Sequence, residues 1–324
     1  MVLALAAFGC AERPAAPDGF PYGFDAASDD TLNEIDGHTL PRPSGYTHWD
    51  VSVELPYGAP EQTAMLSVTA SAGRVDIHLL VDRTASFNGE ISQLQRTLTN
   101  SLLPQLRARI QSLSVGVSGF EDMPFAPFGL PSDQPFVLMI PQTSDAVRAS
   151  GAVLQLNMPL GNGGDRNEGW GEALYQVATG TGLSVGSRQL IAPFTPQSLP
   201  DTGRLGGVGF RDHSSRVVVL ITDAPPHDGP EYAAVVPGAH TLVQATDALR
   251  TLNARVVGMV ALPDARPSIE AFALATGAVT DPVAGGCPTG IGGATHLPTD
   301  GVCPLVYDIA TDGTGLSQTV VDGL

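Results

Sequence analysis

Three short stretches of this chain bring together oxygen-bearing side chains with no sulfur or imidazole among them. Asp82-Arg83-Thr84-Ala85-Ser86 closes an apolar run, and Thr222-Asp223-Ala224 closes another that is rich in valine. Between them, Asn162-Gly163-Gly164-Asp165-Arg166-Asn167-Glu168-Gly169 lies just ahead of a helical pattern. Converging hydroxyl and carboxylate oxygens describe a hard-cation site, most naturally for Mg²⁺ or Mn²⁺. Any one of these Asp residues alone reads as a helix cap or turn residue. The metal reading rests on their occurring together.

The elements that must position them follow an alternating grammar. Residues 75–82 form a mostly apolar run ending in Asp, as expected of a buried parallel strand. Residues 90–109 carry Ile91, Leu94, Leu98 and Leu102 at helical spacing. Strands follow at 112–120, 136–140, 217–221, 255–261 and 305–309, with helices at 172–179, 240–252, 267–276 and 315–323. The stretch 201–209 (DTGRLGGVG) reads as a flexible loop, and 11–47 as a Pro/Gly/Asp-rich tether followed by irregular structure. Alternation over 49–70 suggests two strands about Pro56-Tyr57-Gly58. The pattern implies an α/β fold: a doubly wound, mostly parallel sheet with helices on both faces, plus a short N-terminal β segment. Ligand sites then belong at the carboxyl ends of the strands.

Composition narrows the chemistry. The 324 residues carry sixteen basic and 33 acidic side chains, a formal charge of −17, and every basic residue is arginine. The absence of lysine removes the P-loop, Schiff-base chemistry and phosphatases that depend on a lysine. An acidic chain without a basic patch argues against nucleic acid and anionic lipid as partners. The first ten residues carry no charge and resemble the apolar core of a signal peptide, too short to span a bilayer. Ala7-Phe8-Gly9-Cys10 is similar to a bacterial lipobox, so Cys10 is the expected lipidation site and the membrane is reached only through that anchor. Residues 1–19 are read as signal and tether, 20–73 as an irregular and β-rich segment, and 74–324 as the main domain. Cys287 and Cys303 remain as an even pair without a CxxC spacing, which fits a disulfide in an oxidising compartment.

The acidic pieces resemble the metal-ion-dependent adhesion site of von Willebrand factor A domains. Asp82-x-Thr84-x-Ser86 looks like the family's DxSxS signature with Thr for the first Ser, and Asp223 matches its later Asp. The chain is more narrowly similar to the A-like domain of integrin β subunits. The 162–169 stretch corresponds to that subfamily's Asn-x-Asp-x-Pro-Glu-Gly, with one residue added and Asn167 for Pro, and Phe120-Glu121-Asp122 to its Phe-x-Asp. The resemblance implies a central cation held by Asp82, Thr84, Ser86, Glu168 and Asp223. It implies an adjacent site, suited to Ca²⁺, formed by Asp122, Asn162, Asp165, the carbonyl of Asn167 and Glu168. A third site would need two consecutive acids where this chain has Gly89 and Glu90, so no tight third ion is expected. The partner implied is a protein offering an Asp or Glu carboxylate to the cation, with no catalysis and a place on the bacterial cell envelope. A metal-dependent envelope hydrolase and a purely structural metal site are the alternatives.

Gly182-Leu183-Ser184-Val185-Gly186 matches the GxSxG nucleophile elbow, but follows a helix in a polar loop instead of joining a strand to a helix. His227 reads as an exposed loop histidine, with coordination or gating of the site as the alternative. His78 reads as a hydrogen-bonded interior or sheet-edge residue. The remaining Asp residues read as solvated surface, and Phe120, Phe125, Phe128 and Phe136 as packing.

Overall fold

A computed structural model describes residues 73–157, 159–194, 196 and 201–314, together with four short strands nearer the N-terminus. Those four belong to a separate unit spanning Met1–Ala70. In it β1 (Val2–Leu3) pairs antiparallel with β4 (Leu66–Ser67), and β2 (Leu32–Ile35) with β3 (His38–Pro41). Cys10 and the helix expected at 315–323 lie outside the described residues, as do most of the strands expected over 49–70.

The second unit is built on one six-stranded sheet. Its strands are β5 (Arg74–Asp82), β6 (Ser112–Phe120), β7 (Val137–Thr143), β10 (Ser215–Thr222), β11 (Ala254–Val260) and β14 (Val306–Asp308). A hairpin of β8 (Leu183–Val185) and β9 (Arg188–Ile191) and a two-stranded ribbon of β12 (Val279–Thr280) and β13 (Cys303–Pro304) lie outside it. The sheet order is β14-β11-β10-β5-β6-β7, parallel throughout except for β7, which runs antiparallel to β6. Residues 121–136 contain no helix, so no crossover is available to return the chain parallel.

Every residue of β5 after Arg74 is buried, so both faces of this central strand are covered. The covering helices are α1 (Asn88–Thr97), α2 (Leu103–Arg109), α3 (Ala146–Val153), α4 (Trp170–Thr179), α5 (Leu242–Thr251) and α6 (Arg266–Thr276). The single helix expected over 90–109 is interrupted by a π turn, Leu98–Leu102. Pro104 lies in the first turn of α2 and has no N–H to continue the α-helical ladder. Helix α3 is an element that the sequence reading does not place. Its start is fixed by Asp145, whose carboxylate accepts from the N–H groups of Val147 and Arg148 at 2.8 and 3.2 Å.

Several surface expectations are overturned by burial. The 201–209 stretch is packed: Val208 is fully buried and the Gly207 N–H donates to the carbonyl of Val177, which ends its reading as a flexible loop. Asp76 is fully buried and bonded at 2.6 Å to the Arg211 guanidinium, so it is not a solvated Asp. His78 is interior, its Nε2 2.8 Å from the Ser118 hydroxyl, and burial lowers it to about 3. Cys287 and Cys303 are joined in a disulfide across a sequence separation of 16. Among the described residues, no helix is long and apolar enough to cross a membrane.

Candidate metal centre

Because β5, β6, β10 and β11 are parallel, their carboxyl ends share one edge of the sheet, and the chemistry-bearing segments follow directly from them. Ile221 pairs with Val81 in the ladder, which sets Thr222 beside Asp82. The Thr222 hydroxyl donates to Asp82 Oδ2 at 2.7 Å, while the N–H and hydroxyl of Thr84 donate to Oδ1 at 2.9 and 2.6 Å. Thr84 Oγ1 lies 3.1 Å from Ser86 Oγ, and Ser86 and Asp223 line one cleft. The 162–168 loop is tied to both flanking loops. The Gly161 N–H donates to the Arg83 carbonyl at 3.0 Å, the Ala85 N–H donates to the Gly161 carbonyl at 2.9 Å, and the Glu168 N–H donates to the Pro225 carbonyl at 2.9 Å. Trp170, the first residue of α4, donates its indole N–H to the Ala224 carbonyl at 3.0 Å and fixes the helix to the loop after β10.

The sequence-predicted central set therefore lies together. Ser86, Glu168 and Asp223 line an open cleft of roughly 390 Å³, joined by Asn162, Asp165 and Arg166. Asp82 and Thr84 stand beneath, 0% and 2% exposed. Of the adjacent set, Asp122 and Asp165 meet at His227. The Asn162 side chain is exposed toward the cleft, and the Asn167 amide donates to the Pro226 carbonyl at 3.2 Å.

The electrostatics of the cluster are unbalanced. Burial, reinforced by the Asp223 charge, pushes Asp82 up to about 7 in spite of its three hydrogen bonds. Glu168 is pushed up to about 11, by burial first and then by Asp82, Asp122, Asp223 and Asp133. Glu90 rises to about 7 and Asp122 to about 6, both chiefly through burial, and burial also raises Asp223. Glu168 Oε2, Asp122 Oδ2 and Glu90 Oε2 are buried without a hydrogen-bond partner. Orphaned, desolvated carboxylate oxygens are costly unless a cation or proton meets them. An oxygen-rich donor set with unused buried lone pairs fits a divalent ion.

His227 corrects its reading as an exposed loop histidine: it is 5% exposed and stands inside the acidic cluster. Its Nε2 is 3.1 Å from Asp165 Oδ1 and 3.3 Å from Asp122 Oδ2, and its Nδ1 is 2.6 Å from Glu231 Oε2. Burial opposes its positive form, but Glu231, Asp122 and Asp165 outweigh burial and the imidazole is raised overall. Asp133, Glu231 and Tyr232 also belong to the site's frame, and sequence reading passed over them. Asp133 is 3% exposed, and its carboxylate accepts from the N–H groups of Leu130, Asn162 and Gly163 at 2.8, 3.3 and 3.1 Å. Tyr232 donates its hydroxyl to Asp122 Oδ1. Ser184 lies exposed in β8, two residues before the hairpin turn at Gly186, and the described fold gives it no strand-to-helix elbow.

No family model matches the chain, and no curated protein matches it.

Proposed function

We propose that this protein is a metal-dependent binding module of the von Willebrand factor A type, closest to the integrin β-like form. In this reading Asp82, Thr84, Ser86, Glu168 and Asp223 hold one Mg²⁺ or Mn²⁺ ion, and Asp122 and Asp165 serve a second ion beside it. The partner is a protein that offers an Asp or Glu carboxylate. The observation that carries the reading is the gathering of these five side chains at the carboxyl ends of β5 and β10, with the unpartnered Glu168 Oε2 buried among them. A cation with few direct carboxylates and an open, solvent-facing side keeps exchangeable water and has a coordination position to give. The bound ion would supply a Lewis-acidic anchor for an anionic oxygen, and the chain's own residues orient it and exclude water from beneath. The disulfide accords with export to the cell envelope; the proposed lipid anchor at Cys10 supplies the tether.

Mn²⁺-loaded protein should enhance the relaxation of bulk water protons, and a Glu-containing peptide should lower that enhancement. A saturated site giving no enhancement would contradict the open coordination position and leave a structural ion. Hydrolysis of phosphate-ester or carboxyl-ester substrates that is lost in Asp82→Ala would overturn the non-catalytic reading.

A further inference from the structure

The donor set beside the central site is not all oxygen. The Glu231 carboxylate can only accept, so the 2.6 Å contact places a hydrogen on His227 Nδ1. Glu231 is itself held, because the Asp228 N–H donates to its Oε1 at 3.1 Å within a capping box. In its neutral form the imidazole turns the Nε2 lone pair toward Asp165 Oδ1 at 3.1 Å and Asp122 Oδ2 at 3.3 Å. Three electron-rich atoms facing one another repel unless a positive charge lies between them. Asp122 is fully buried; its Oδ1 accepts from the Met123 N–H at 2.6 Å and from Tyr232, while Oδ2 has no hydrogen-bond partner. Aromatic rings pack on the imidazole: those of Phe128 and Tyr232 lie 4.9 and 5.2 Å from it.

We infer that Asp122, Asp165 and His227 form a nitrogen-containing site for a first-row transition ion, Zn²⁺ in class, in place of the Ca²⁺ that an all-oxygen set would take. The three ligand atoms lie within 4.8 Å of one another. The 3.1 and 3.3 Å edges match the roughly 3.0–3.4 Å between neighbouring donors about an ion with bonds near 2.1 Å. Imidazole selects borderline transition ions over Ca²⁺ and Mg²⁺. Glu231 supplies the carboxylate–histidine–metal arrangement that fixes tautomer and ring orientation. The inference deepens that part of the proposed function in which Asp122 and Asp165 serve a second ion, and it is independent of the central site.

The test titrates the folded domain with Zn²⁺, Co²⁺ and Ca²⁺ by calorimetry, with the visible spectrum of Co²⁺ reporting nitrogen ligation. One equivalent of Zn²⁺ should bind at least about tenfold tighter than Ca²⁺, and Zn²⁺ should shift the His227 Nε2 resonance in the unsubstituted protein. Glu231→Gln should weaken Zn²⁺ by about 10–100-fold, and His227→Gln should abolish the preference over Ca²⁺. Asp223→Ala, which strips the central site, should leave Zn²⁺ binding in place. Failure of Mg²⁺ binding with Zn²⁺ intact would therefore sink the proposed function and spare this inference. An unmoved Nε2 resonance, or Zn²⁺ affinity no greater than that for Ca²⁺, would overturn the inference. His227 would then serve as a cationic strut between its two aspartates.

Discussion

At the residue scale, the site is a set of acids raised by the same cause. Burial is the first cause at Asp82, Glu90, Asp122 and Glu168, and neighbouring carboxylates add to it: Asp223 at Asp82, Asp223 and Asp82 at Glu90, Asp165 at Asp122, and Asp82, Asp122 and Asp223 at Glu168. A raised acid binds a proton in the fold that the unfolded chain has already released. The native state therefore holds the extra protons above the unfolded carboxyl range of about 4, and stability falls as pH rises from there. In chelator, the melting temperature should drop steadily from about pH 4.5 through 7, the window bounded by the folded values of Asp122, Asp82 and Glu90. Saturating Mg²⁺ should flatten that slope, and a slope unchanged by Mg²⁺ would detach these acids from the metal. Glu168→Gln separates the two roles: in chelator at pH 7 it should melt higher than wild type, since no proton need be taken up on folding. In Mg²⁺ it should lose most of the metal-induced rise.

These residues were unequally legible. Asp82, Thr84, Ser86, Glu168 and Asp223 stand out because each sits at the end of an apolar run or the start of a helix, where sequence pattern fixes position. His227 did not. Nothing local to Ala224-Pro225-Pro226-His227 tells that Phe128, about a hundred residues earlier in the chain, will pack on its ring together with the nearby Tyr232. Asp133 was hidden for the same reason, since the backbone N–H groups it satisfies at Asn162 and Gly163 are about thirty residues away.

At the element scale, the segment leading into the 162–168 loop is held in place by a buried cation that follows β5. Arg83 is 3% exposed, donates from Nε to Leu156 O at 2.8 Å and from Nη2 to Pro159 O at 2.6 Å, and pairs with Glu121 at 3.5 Å. Gly119 makes room for it, since a Cβ there would come within 2.0 Å of Arg83 Cδ. Arg83→Met leaves Glu121 buried and unpaired, and such breakage costs about 3–5 kcal/mol. Chemical denaturation should show a loss of that size, and adding Glu121→Gln should restore part of it. A loss under about 1 kcal/mol would mean that the strap contributes little. Gly163 is the loop's own conformational requirement: its φ is +63°, and a Cβ would press against Glu168 Oε1 at 3.0 Å. The strands that carry the site were readable because buried parallel strands appear as near-continuous apolar runs. The direction of β7 and the existence of α3 were not. An edge strand carries little direction signal, and the Ser150-Gly151 pair weakens the helical pattern of α3.

At the scale of the whole molecule, a sheet of parallel strands delivers several loops to one edge, and the proposed cation would offset the repulsion among the carboxylates gathered there. The disulfide acts away from the two central strands of the sheet, joining the segment after β12 to Cys303 in β13 and closing the loop between them. Closing a loop of this length stabilises by about 3 kcal/mol in the chain-entropy account. Reduction, or Cys287→Ala with Cys303→Ala, should lower unfolding stability by about that amount while leaving Mg²⁺ binding intact. A loss of Mg²⁺ binding on reduction would instead couple the two regions.

The most direct test of the central claim is thermal unfolding of the chain from residue 20 onward in Mg²⁺, Mn²⁺, Ca²⁺ and chelator, with Asp223→Ala alongside. An ion that binds only the native state adds about 2.7 kcal/mol at a hundredfold excess over its dissociation constant, or about 5–10 °C for a domain of this size. The account predicts a rise of that order in Mg²⁺ or Mn²⁺ that Asp223→Ala abolishes. Midpoints that coincide in every ion and in chelator would contradict a metal centre at the ends of β5 and β10.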